Sequence, residues 1–426
     1  MYHFLLQELK KHFEEKGPVK IGIAGTGFIG GGVLAQISRM KGPFYRAMVV
    51  YYHTEKGFMN AMNQCESNME YEFCDTESEV QECISKDKIA AVTNLDLMFS
   101  APLDVIMDMT GEVVIGAELA YKAIMNGVSM MASPETDIAL GHSLNQMAKK
   151  NHVVYSGFSG DEPGEIMNLI CYVKLMNFEI VGAGKFKNFH DPYANPTSVK
   201  KWADLYGQNP YKLASFADGT KMNMEMGITA NATGLIPDVK GMHCPEGTLE
   251  TVTSLICPIQ DGGILNQTGV LEVVRGVEPS GGIFVVGRTE NPKAVSDLTY
   301  LKMGKGPYYL FYKPYHLCQF EMLLGAAKVA ILKDPVLQPM DHKVVEVVPY
   351  AKKDLKAGEV IDKIGGYAFY GLIEERKTID EKNFVPVSAL PGTVAACDIK
   401  KDERITRRKI IADQQGYMWK ILNHQI

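Results

Sequence analysis

Three charged side chains between residues 218 and 225 have types and a spacing suited to protonating a reacting carbonyl oxygen. Asp218 lies three residues before Lys221, and Glu225 follows four residues later, so a helix would place all three on one face. When a carbonyl carbon accepts hydride, its oxygen becomes an alkoxide that needs a proton donor, and a lysine oriented by carboxylates can serve. Lys185, at the end of a glycine-rich predicted strand, is a second candidate donor. The alternative interpretation is a solvated, salt-bridged helix surface, which is the commoner fate of such charges.

A glycine-rich turn near the start of the chain predicts a nicotinamide dinucleotide as the hydride carrier. The pattern G-x-G-x-x-G follows an apolar predicted strand at 19–24 and opens a predicted helix. The first glycine permits a tight turn, the second lets the backbone approach a pyrophosphate, and the third lets helix and strand pack closely. A strand–helix turn that merely tolerates glycine is the alternative. The predicted cofactor contacts are Gly25, Thr26, Gly27, Phe28, Ile29 and Gly30.

The residues after the second predicted strand bear on the choice between NADP(H) and NAD(H). A site for NAD(H) carries an acid about 20 residues after the glycine motif, where it binds the ribose 2′-hydroxyl. The expected positions hold His53 and Thr54, and Lys56 can meet a 2′-phosphate. Glu55 keeps NAD(H) open if the loop shifts by one or two residues. The sequence therefore favours NADP(H).

Further candidate contacts lie where later predicted strands end, because the carboxyl ends of the strands form the ligand crevice in open α/β sheets. Thr110 and Gly111 follow the fourth predicted strand and are expected to contact the nicotinamide half, unless they form an ordinary strand-to-helix turn. Asn231 can also serve as a turn or cap residue, His316 as a buried structural histidine, and Lys187 is expected to face solvent. The predicted substrate contacts are Asp161, Glu162, Asn188, Asn231 and His316.

Four acids raise the question of a catalytic metal. Carboxylates are the ligands that hard divalent cations prefer, and a set of them is formed by Asp161, Glu162, Asp218 and Glu225. The sequence does not require a cation among them, and hydride transfer to a carbonyl proceeds without one. No metal is predicted.

The elements that must position these residues follow two different patterns. Strands predicted at 19–24, 47–52, 90–93, 105–108, 129–132 and 153–155 alternate with helices at 28–40, 113–126 and 135–150, after a first helix at 1–16. This alternation predicts an α/β fold with a Rossmann-type, doubly wound parallel sheet. Beyond residue 158 the alternation stops, glycine and asparagine become frequent, and a helix is predicted at 316–333. We predict a dinucleotide-binding domain over 1–155, an α+β substrate and oligomerisation domain over 156–340, and a small β-rich domain over 341–426.

Composition excludes several classes of protein. Hydrophobic residues make up 46% of the 426 residues, charged residues 22%, and the formal net charge is −6. These values are typical of a globular protein and predict neither a nucleic-acid partner nor a membrane partner. The N-terminus lacks the apolar core of a signal peptide, and the eight cysteines include no Cys-x-x-Cys pair. We therefore expect a cytoplasmic protein. A homo-oligomer with a small-molecule substrate is expected as well.

Several segments resemble the homoserine-dehydrogenase-like oxidoreductase family that carries a C-terminal SAF domain. They are DGTK with the following Glu225, ANATG at 230–234, GPYYLFYKPYHL at 306–317 and KKDLKAGE at 352–359. The resemblance covers essentially the whole chain and implies a β-clip SAF domain at its C-terminal end. Three lysines of that domain are expected to be solvated unless they attract a phosphate, namely Lys352, Lys353 and Lys356. One branch of the family, the 1-deoxy-D-xylulose 5-phosphate reductoisomerase-like enzymes, uses NADPH on a ketose phosphate in isoprenoid biosynthesis.

Residues and resemblance together predict an NAD(P)H-dependent oxidoreductase acting on a carbonyl or alcohol of a small polar substrate, with a sugar phosphate as the expected class. Lys185 or Lys221 would donate the proton, oriented by Asp218 and Glu225. A homoserine-type dehydrogenase of an amino-acid semialdehyde stays open, because the same two acids could bind an α-ammonium group. A non-catalytic NADP-binding scaffold is the third possibility.

Overall fold

A computed structural model describes residues 2–66 and 69–426 of the chain. The chain divides into two compact units, each assembled from separate segments. The first unit comprises Met1–Asp161, Leu317–Gln338 and Gln414–Ile426, and the second comprises Glu162–His316 and Pro339–Asp413. The finer division into three domains stays a prediction. In the described part of the chain, no helix is both long and apolar enough to cross a membrane.

The strands are β1 (Val19–Ala24), β2 (Tyr45–Tyr51), β3 (Tyr71–Phe73), β4 (Ile89–Val92), β5 (Val105–Asp108), β6 (Ser129–Met131), β7 (Tyr155–Ser156), β8 (Glu179–Lys187), β9 (Ile236–Pro237), β10 (Val270–Arg275), β11 (Ile283–Arg288), β12 (Tyr308–Lys313), β13 (Val345–Ala351), β14 (Phe369–Glu375), β15 (Val394–Ala395) and β16 (Ile410–Ile411). The α-helices are α1 (Tyr2–Lys16), α2 (Phe28–Ser38), α3 (Glu55–Met62), α4 (Glu77–Ser85), α5 (Val113–Met125), α6 (Pro134–Lys150), α7 (Glu162–Leu175), α8 (Lys200–Tyr206), α9 (Pro210–Ala217), α10 (Thr220–Thr233), α11 (Val252–Leu255), α12 (Pro292–Tyr300), α13 (Met322–Ala327) and α14 (Tyr417–Leu422). Short 3₁₀ helices cover Leu95–Ser100, Ile259–Asp261, Cys318–Phe320, Arg376–Thr378, Val387–Ala389 and Arg407–Lys409, and a π-helical turn covers Lys328–Leu332.

The sheet of the first unit is parallel, as the alternation of strands and helices predicted. Its described strands have the order β3-β4-β2-β1-β5-β6-β7, and each described pairing is parallel. The strand order reverses at β1, which lies between β2 and β5, and such a reversal opens a ligand crevice at the carboxyl ends of the strands. The sequence did not predict β3, because this three-residue edge strand is only partly buried and has no continuous apolar run.

Residues from three segments form the hydrophobic core of the first unit. Leu5 and Leu9 of α1 share a buried cluster with the strands and with Leu323 and Ala326 of α13. The helix predicted over 316–333 is in fact a 3₁₀ turn, α13 and a π-helical turn in succession. Helix α14 packs on α5 and α6. The first unit therefore depends on chain segments far beyond its own sheet.

The second unit is built on a mixed sheet with the described order β12-β11-β8-β10-β9. Strand β8 lies in the middle, parallel to β10 and antiparallel to β11. Helix α7 packs on β8 and β11, and α10 packs on α7. This region is the α+β arrangement that the loss of regular alternation predicted, and it buries one face of β8 beneath two helices.

Helix α10 is almost entirely buried although many of its side chains are polar. The antiparallel pair β13 and β14 packs on it and supplies backbone donors to its polar side chains. Thr220 Oγ1 accepts from the Gly371 N–H at 3.0 Å, and Asn223 Oδ1 accepts from the Ile373 N–H at 2.9 Å. A buried polar group is tolerated where it is hydrogen-bonded, so α10 is an internal helix rather than a solvated one.

Candidate active site

Lys185 lies at the centre of a buried cluster of charges in the second unit. It is on the middle strand β8, and its ammonium donates to Glu162 at the start of α7 and, at 2.7 Å, to Oε2 of Glu225 on α10. The Lys185 and Glu225 side chains are 9% and 1% exposed. Two helices that pack on each other therefore each place one carboxylate against a single lysine on the sheet. The structure brings together three of the residues predicted for the site.

The surroundings set the protonation states of this cluster. Burial alone would lower the pKa of Lys185, but the charges of Glu162 and Glu225 outweigh it, and the net shift is upward. Burial and the nearby Glu162 charge raise the pKa of Glu225, while Lys185 opposes them. Lys185 consequently remains a cation, and two of its three N–H groups are used by carboxylates. One N–H remains for the oxygen of a ligand.

Asp218 does not share this lysine, although the sequence analysis grouped it with Glu225. It precedes α10, where its Oδ1 accepts from the Thr220 N–H at 2.7 Å, and its Oδ2 lies 2.7 Å from Lys352 Nζ. Lys352 is buried, and it also donates to the carbonyls of Ala194 at 2.6 Å and Gly366 at 2.8 Å. Burial raises the pKa of Asp218 to about 6, against the lowering influence of Lys352. The expectation that Lys352 is solvated was wrong, because Lys352 is buried and donates all three N–H groups to the protein.

Lys187 is also placed differently from the expectation. It is partly buried rather than solvent-facing, and its Nζ donates to the Phe216 carbonyl oxygen at 2.6 Å. Burial, together with the charge of Lys185, lowers the pKa of Lys187 to about 8. The missed signal is the alternation of side chains along a strand, which places residues 185 and 187 on the same face. The burial of Lys185 therefore indicated partial burial of Lys187.

The other predicted substrate residues have varied surroundings. Asp161 is half-buried and directly precedes α7, and Lys221 is half-buried on α10, where its charge lowers the pKa of Glu225. The Asn188 amide donates to Glu278 Oε1 at 2.8 Å on the surface. His316 Nδ1 lies 2.8 Å from the Gly281 carbonyl oxygen, which fixes Nδ1 as the donor, and its Nε2 is 3.5 Å from Glu162 Oε1. His316 therefore adjoins the Lys185 cluster.

Asn231 forms backbone hydrogen bonds with both ends of its side-chain amide. Its Oδ1 accepts from the Val344 and Val345 N–H groups at 2.9 and 3.2 Å, and its Nδ2 donates to the Val345 carbonyl at 3.3 Å. These bonds attach the segment before β13 to the end of α10. Such bonds agree with the alternative role of Asn231 as a turn or cap residue. Its contact with a substrate stays a prediction.

The glycine turn of the first unit has the geometry that a dinucleotide requires. Gly25 has a φ of +101°, and a Cβ there would lie 2.8 Å from the Met109 carbonyl oxygen. A Cβ on Gly30 would lie 1.9 Å from the Gly25 carbonyl oxygen, whereas one on Gly27 would meet nothing within 4 Å. The first and third glycines are thus required by the fold itself. The second leaves the N-terminus of α2 open, where backbone N–H groups and the helix dipole favour phosphate.

The neighbouring turns are those predicted to contact the rest of the cofactor. Thr54 caps α3 by accepting from the Gly57 N–H at 3.2 Å, and a Cβ on Gly57 would lie 3.5 Å from Thr26 Oγ1, so this turn adjoins the glycine turn. His53 and Lys56 are exposed there. At the end of β5, Thr110 Oγ1 donates to buried Asp108 at 2.6 Å. The residues that fit a dinucleotide are therefore adjacent within the first unit.

Comparison with known proteins finds a similarity to an oxidoreductase family in the central segment. Residues 160–322 match the family model described as "Oxidoreductase DRL, catalytic domain". The match includes Glu162, Lys185 and Glu225, and it confirms the oxidoreductase part of the predicted resemblance. The SAF domain and the reductoisomerase branch stay predictions. No curated protein matches the chain.

Solved structures of dehydrogenases match most of the chain at low identity. A hyperthermophilic archaeal homoserine dehydrogenase in complex with NADPH is 13% identical, with a TM-score of 0.41, over 75% of this chain and 99% of that one. UDP-N-acetylglucosamine 3-dehydrogenase GnnA from Acidithiobacillus ferrooxidans is 10% identical, with a TM-score of 0.40, over 75% and 92%. GenD2 from gentamicin A biosynthesis in complex with NAD is 11% identical, with a TM-score of 0.36, over 76% and 89%.

Proposed function

We propose that this chain is an NADP(H)-dependent oxidoreductase that transfers hydride between the nicotinamide and a carbonyl or alcohol carbon of a sugar phosphate, of the 1-deoxy-D-xylulose 5-phosphate type. The first unit binds the cofactor, and the second supplies the groups that act on the substrate oxygen. The observation that carries the proposal is the buried Lys185 held between Glu162 and Glu225, inside the segment that matches an oxidoreductase catalytic domain.

Lys185 has the features of a group that stabilises a developing alkoxide. Its charge is maintained by two carboxylates, its position is fixed from both α7 and α10, and one N–H remains for a substrate oxygen. A donor that is already oriented in a water-poor site stabilises negative charge more strongly than water does. When bound, the reduced nicotinamide supplies the hydride, and the protein supplies this charge and the proton.

The surroundings of the predicted acids favour a carbonyl substrate without an α-ammonium group. A semialdehyde dehydrogenase would need carboxylates for that ammonium, and Asp218 and Glu225 were the candidates. Each of them already binds a lysine of the chain, at 2.7 Å in both cases.

The preference for NADP(H) is supported by the turn between β2 and α3. An acid that would bind a ribose 2′-hydroxyl is missing at its last two positions, which hold His53 and Thr54. Exposed Lys56 follows in the first turn of α3. The Lys56 ammonium can therefore bind a 2′-phosphate, and the side chains of His53 and Thr54 can donate hydrogen bonds to it. Comparing the dissociation constants of NADPH and NADH tests this preference, and tighter binding of NADH would contradict it.

The first test of the proposal is the loss of NADPH absorbance in the presence of 1-deoxy-D-xylulose 5-phosphate, with and without a divalent cation. Turnover supports the sugar-phosphate assignment. Turnover only with an amino-acid semialdehyde would replace it with the homoserine-type activity. NADPH that binds but is oxidised with neither substrate would favour a scaffold.

A matched pair of glycine variants tests the cofactor site separately. Gly27 and Gly416 are both helix N-cap residues without a side-chain cap, and an added Cβ meets nothing within 4 Å at either position. We expect Gly27→Val to weaken NADPH binding by at least about 100-fold, because the side chain would occupy the place of the pyrophosphate. Gly416→Val should bind NADPH as the wild type does. Equal affinity of the two variants would remove the glycine turn from the cofactor site.

A further inference from the structure

Lys187 and Lys185 lie on the same face of β8 but have different partners. Lys185 binds two carboxylates, whereas the Lys187 ammonium binds the backbone carbonyl of Phe216 at 2.6 Å. In residues 2–66 and 69–426, no carboxylate lies within ion-pair distance of Lys187. Lys185 and Lys187 therefore differ in kind of partner. Carboxylates stabilise the charged form of Lys185, whereas the partner of Lys187 is an uncharged carbonyl.

The partner of Lys187 is suited to a group that changes its protonation state. A carbonyl oxygen accepts a hydrogen bond from an ammonium and from a neutral amine alike. The Phe216 carbonyl can therefore hold the Lys187 nitrogen in place before and after a proton leaves. A carboxylate partner would instead oppose the loss of the proton, as it does at Lys185.

The surroundings of Lys187 also favour exchange of its proton. Burial and the adjacent Lys185 charge lower the pKa of Lys187 to about 8. His190 lies nearby, and burial together with the Lys187 charge lowers its pKa as well. His190 Nε2 is buried and has no hydrogen-bond partner among the described residues. The charges of Glu225, Glu162 and Asp218 raise the pKa of Lys187, but burial and the Lys185 charge outweigh them. An efficient proton donor has a pKa near the working pH.

We propose that Lys187 exchanges the proton with the substrate oxygen, while Lys185 stays charged and stabilises that oxygen. This inference rests on the proposed function. As hydride adds to the carbonyl carbon, the π electron pair of the C=O bond moves to oxygen, and the oxygen takes a proton from the Lys187 ammonium. Neutral Lys187 regains a proton from solvent. In the reverse direction the neutral amine takes the hydroxyl proton as hydride leaves the carbon.

The kinetic test compares Lys187→Arg with the matched control Lys200→Arg. Arginine keeps the charge but does not release a proton near neutral pH, and Lys200 is a 69%-exposed lysine paired with Asp204. We expect Lys187→Arg to lower kcat at least about 100-fold and to abolish the fall in kcat/KM above about pH 8, with NADPH affinity unchanged. Lys200→Arg should match the wild type. Activity of Lys187→Arg within threefold of the wild type, with the wild-type pH profile, would overturn the inference and leave the proposed function standing.

Amine rescue separates proton transfer from a merely structural role. We expect methylammonium to restore the activity of Lys187→Ala at least about tenfold, with a rate that follows the pKa of the added amine, and not to restore Lys185→Ala. Circular dichroism of each variant confirms folding. Equal rescue of both variants, or of neither, would overturn the division of roles.

The protonation of Lys187 can be measured without turnover. Reductive ¹³C-methylation of the full chain, with the Lys187→Arg spectrum to assign the signal, should show a lysine that titrates near pH 8. Titration above about pH 10 would contradict the inference. If the wild type binds NADPH but turns over no carbonyl substrate, the proposed function fails and this role fails with it, whatever the titration shows.

Discussion

Lys185 and Lys352 are two buried lysines that bind carboxylates along α10, and they differ in how completely their N–H groups are used. Lys185 is bound by two carboxylates, which leave one of its N–H groups unused. Lys352 is bound by one carboxylate and two main-chain carbonyls, which use all three of its N–H groups and leave the pair neutral.

The difference separates a site that can accept a ligand from one that can only stabilise the fold. A lysine whose donors are all used by the protein has nothing to offer a substrate. A lysine with one donor left, whose charge is maintained by two carboxylates, remains able to bind an oxygen. The same residue type in the same helix environment is therefore expected to respond to mutation in two different ways.

The largest effect is expected for Lys185→Met. It removes the alkoxide-stabilising donor and the ammonium that two buried carboxylates share, so kcat should fall at least about 100-fold and stability by about 3–5 kcal/mol. Steady-state kinetics and urea unfolding measure the two losses. Full activity in this variant would show that the two lysine sites do not differ in function.

Lys352→Met should lose a similar amount of stability but much less activity. Removing one partner of a buried ion pair costs about 3–5 kcal/mol, and two carbonyls also lose their donor. We expect the folded variant to keep kcat within about tenfold of the wild type. The matched control is Lys353→Met, whose partner Glu359 lies on the surface and whose loss should cost at most about 1 kcal/mol. A small stability loss at Lys352, equal to the control, would contradict its structural role.

Asp218→Asn tests the Asp218–Lys352 pair by the pH dependence of the free energy of unfolding. Burial raises the pKa of Asp218 from 3.8 to about 6 in the folded chain, so the folded state binds this proton more tightly than the unfolded state. The resulting stabilisation is present below about pH 4 and is lost as the pH rises through about 6. Wild-type stability relative to Asp218→Asn should therefore fall by up to about 3 kcal/mol, since one pKa unit corresponds to about 1.4 kcal/mol. Urea unfolding of both proteins from pH 4 to 7 measures this difference, and a constant difference would refute the shift.

The smallest effect is expected at the far end of α10. Asn231→Ala removes the acceptor of two backbone N–H groups, which should cost about 1–3 kcal/mol without changing the KM of the substrate. Thermal unfolding and steady-state kinetics measure both quantities. A raised KM at unchanged stability would instead support the predicted substrate contact.

Local patterns were sufficient to predict most strands of the parallel sheet in the first unit. Each strand of its sheet other than β3 has an apolar run, and the glycine motif lies between one such run and a helix. The structure confirms the doubly wound parallel sheet. The missed strand β3 is short and half-exposed, so it carries no periodic signal.

The candidate site could be predicted only in part, because its contacts are remote in sequence. Lys185 was found as a candidate, and its partners Glu162 and Glu225 lie 23 and 40 residues away. Lys352 lies 134 residues from Asp218, and its neighbouring lysines are exposed, so nothing local indicated its burial. Helix α10 has polar residues on all sides, and β13 and β14 donate backbone hydrogen bonds to two of them, Thr220 and Asn223.

The route of the chain through the two units affects the order in which the protein can assemble during synthesis. The second unit is inserted into the first, since Leu323 and Ala326 complete the same core as Leu5 and Leu9. A nascent chain that ends near residue 161 therefore exposes part of the apolar surface of the first unit. That surface is covered only after the segment around 317–338 has left the ribosome, so the first unit completes its core only after residues 162–316 of the second unit have been translated.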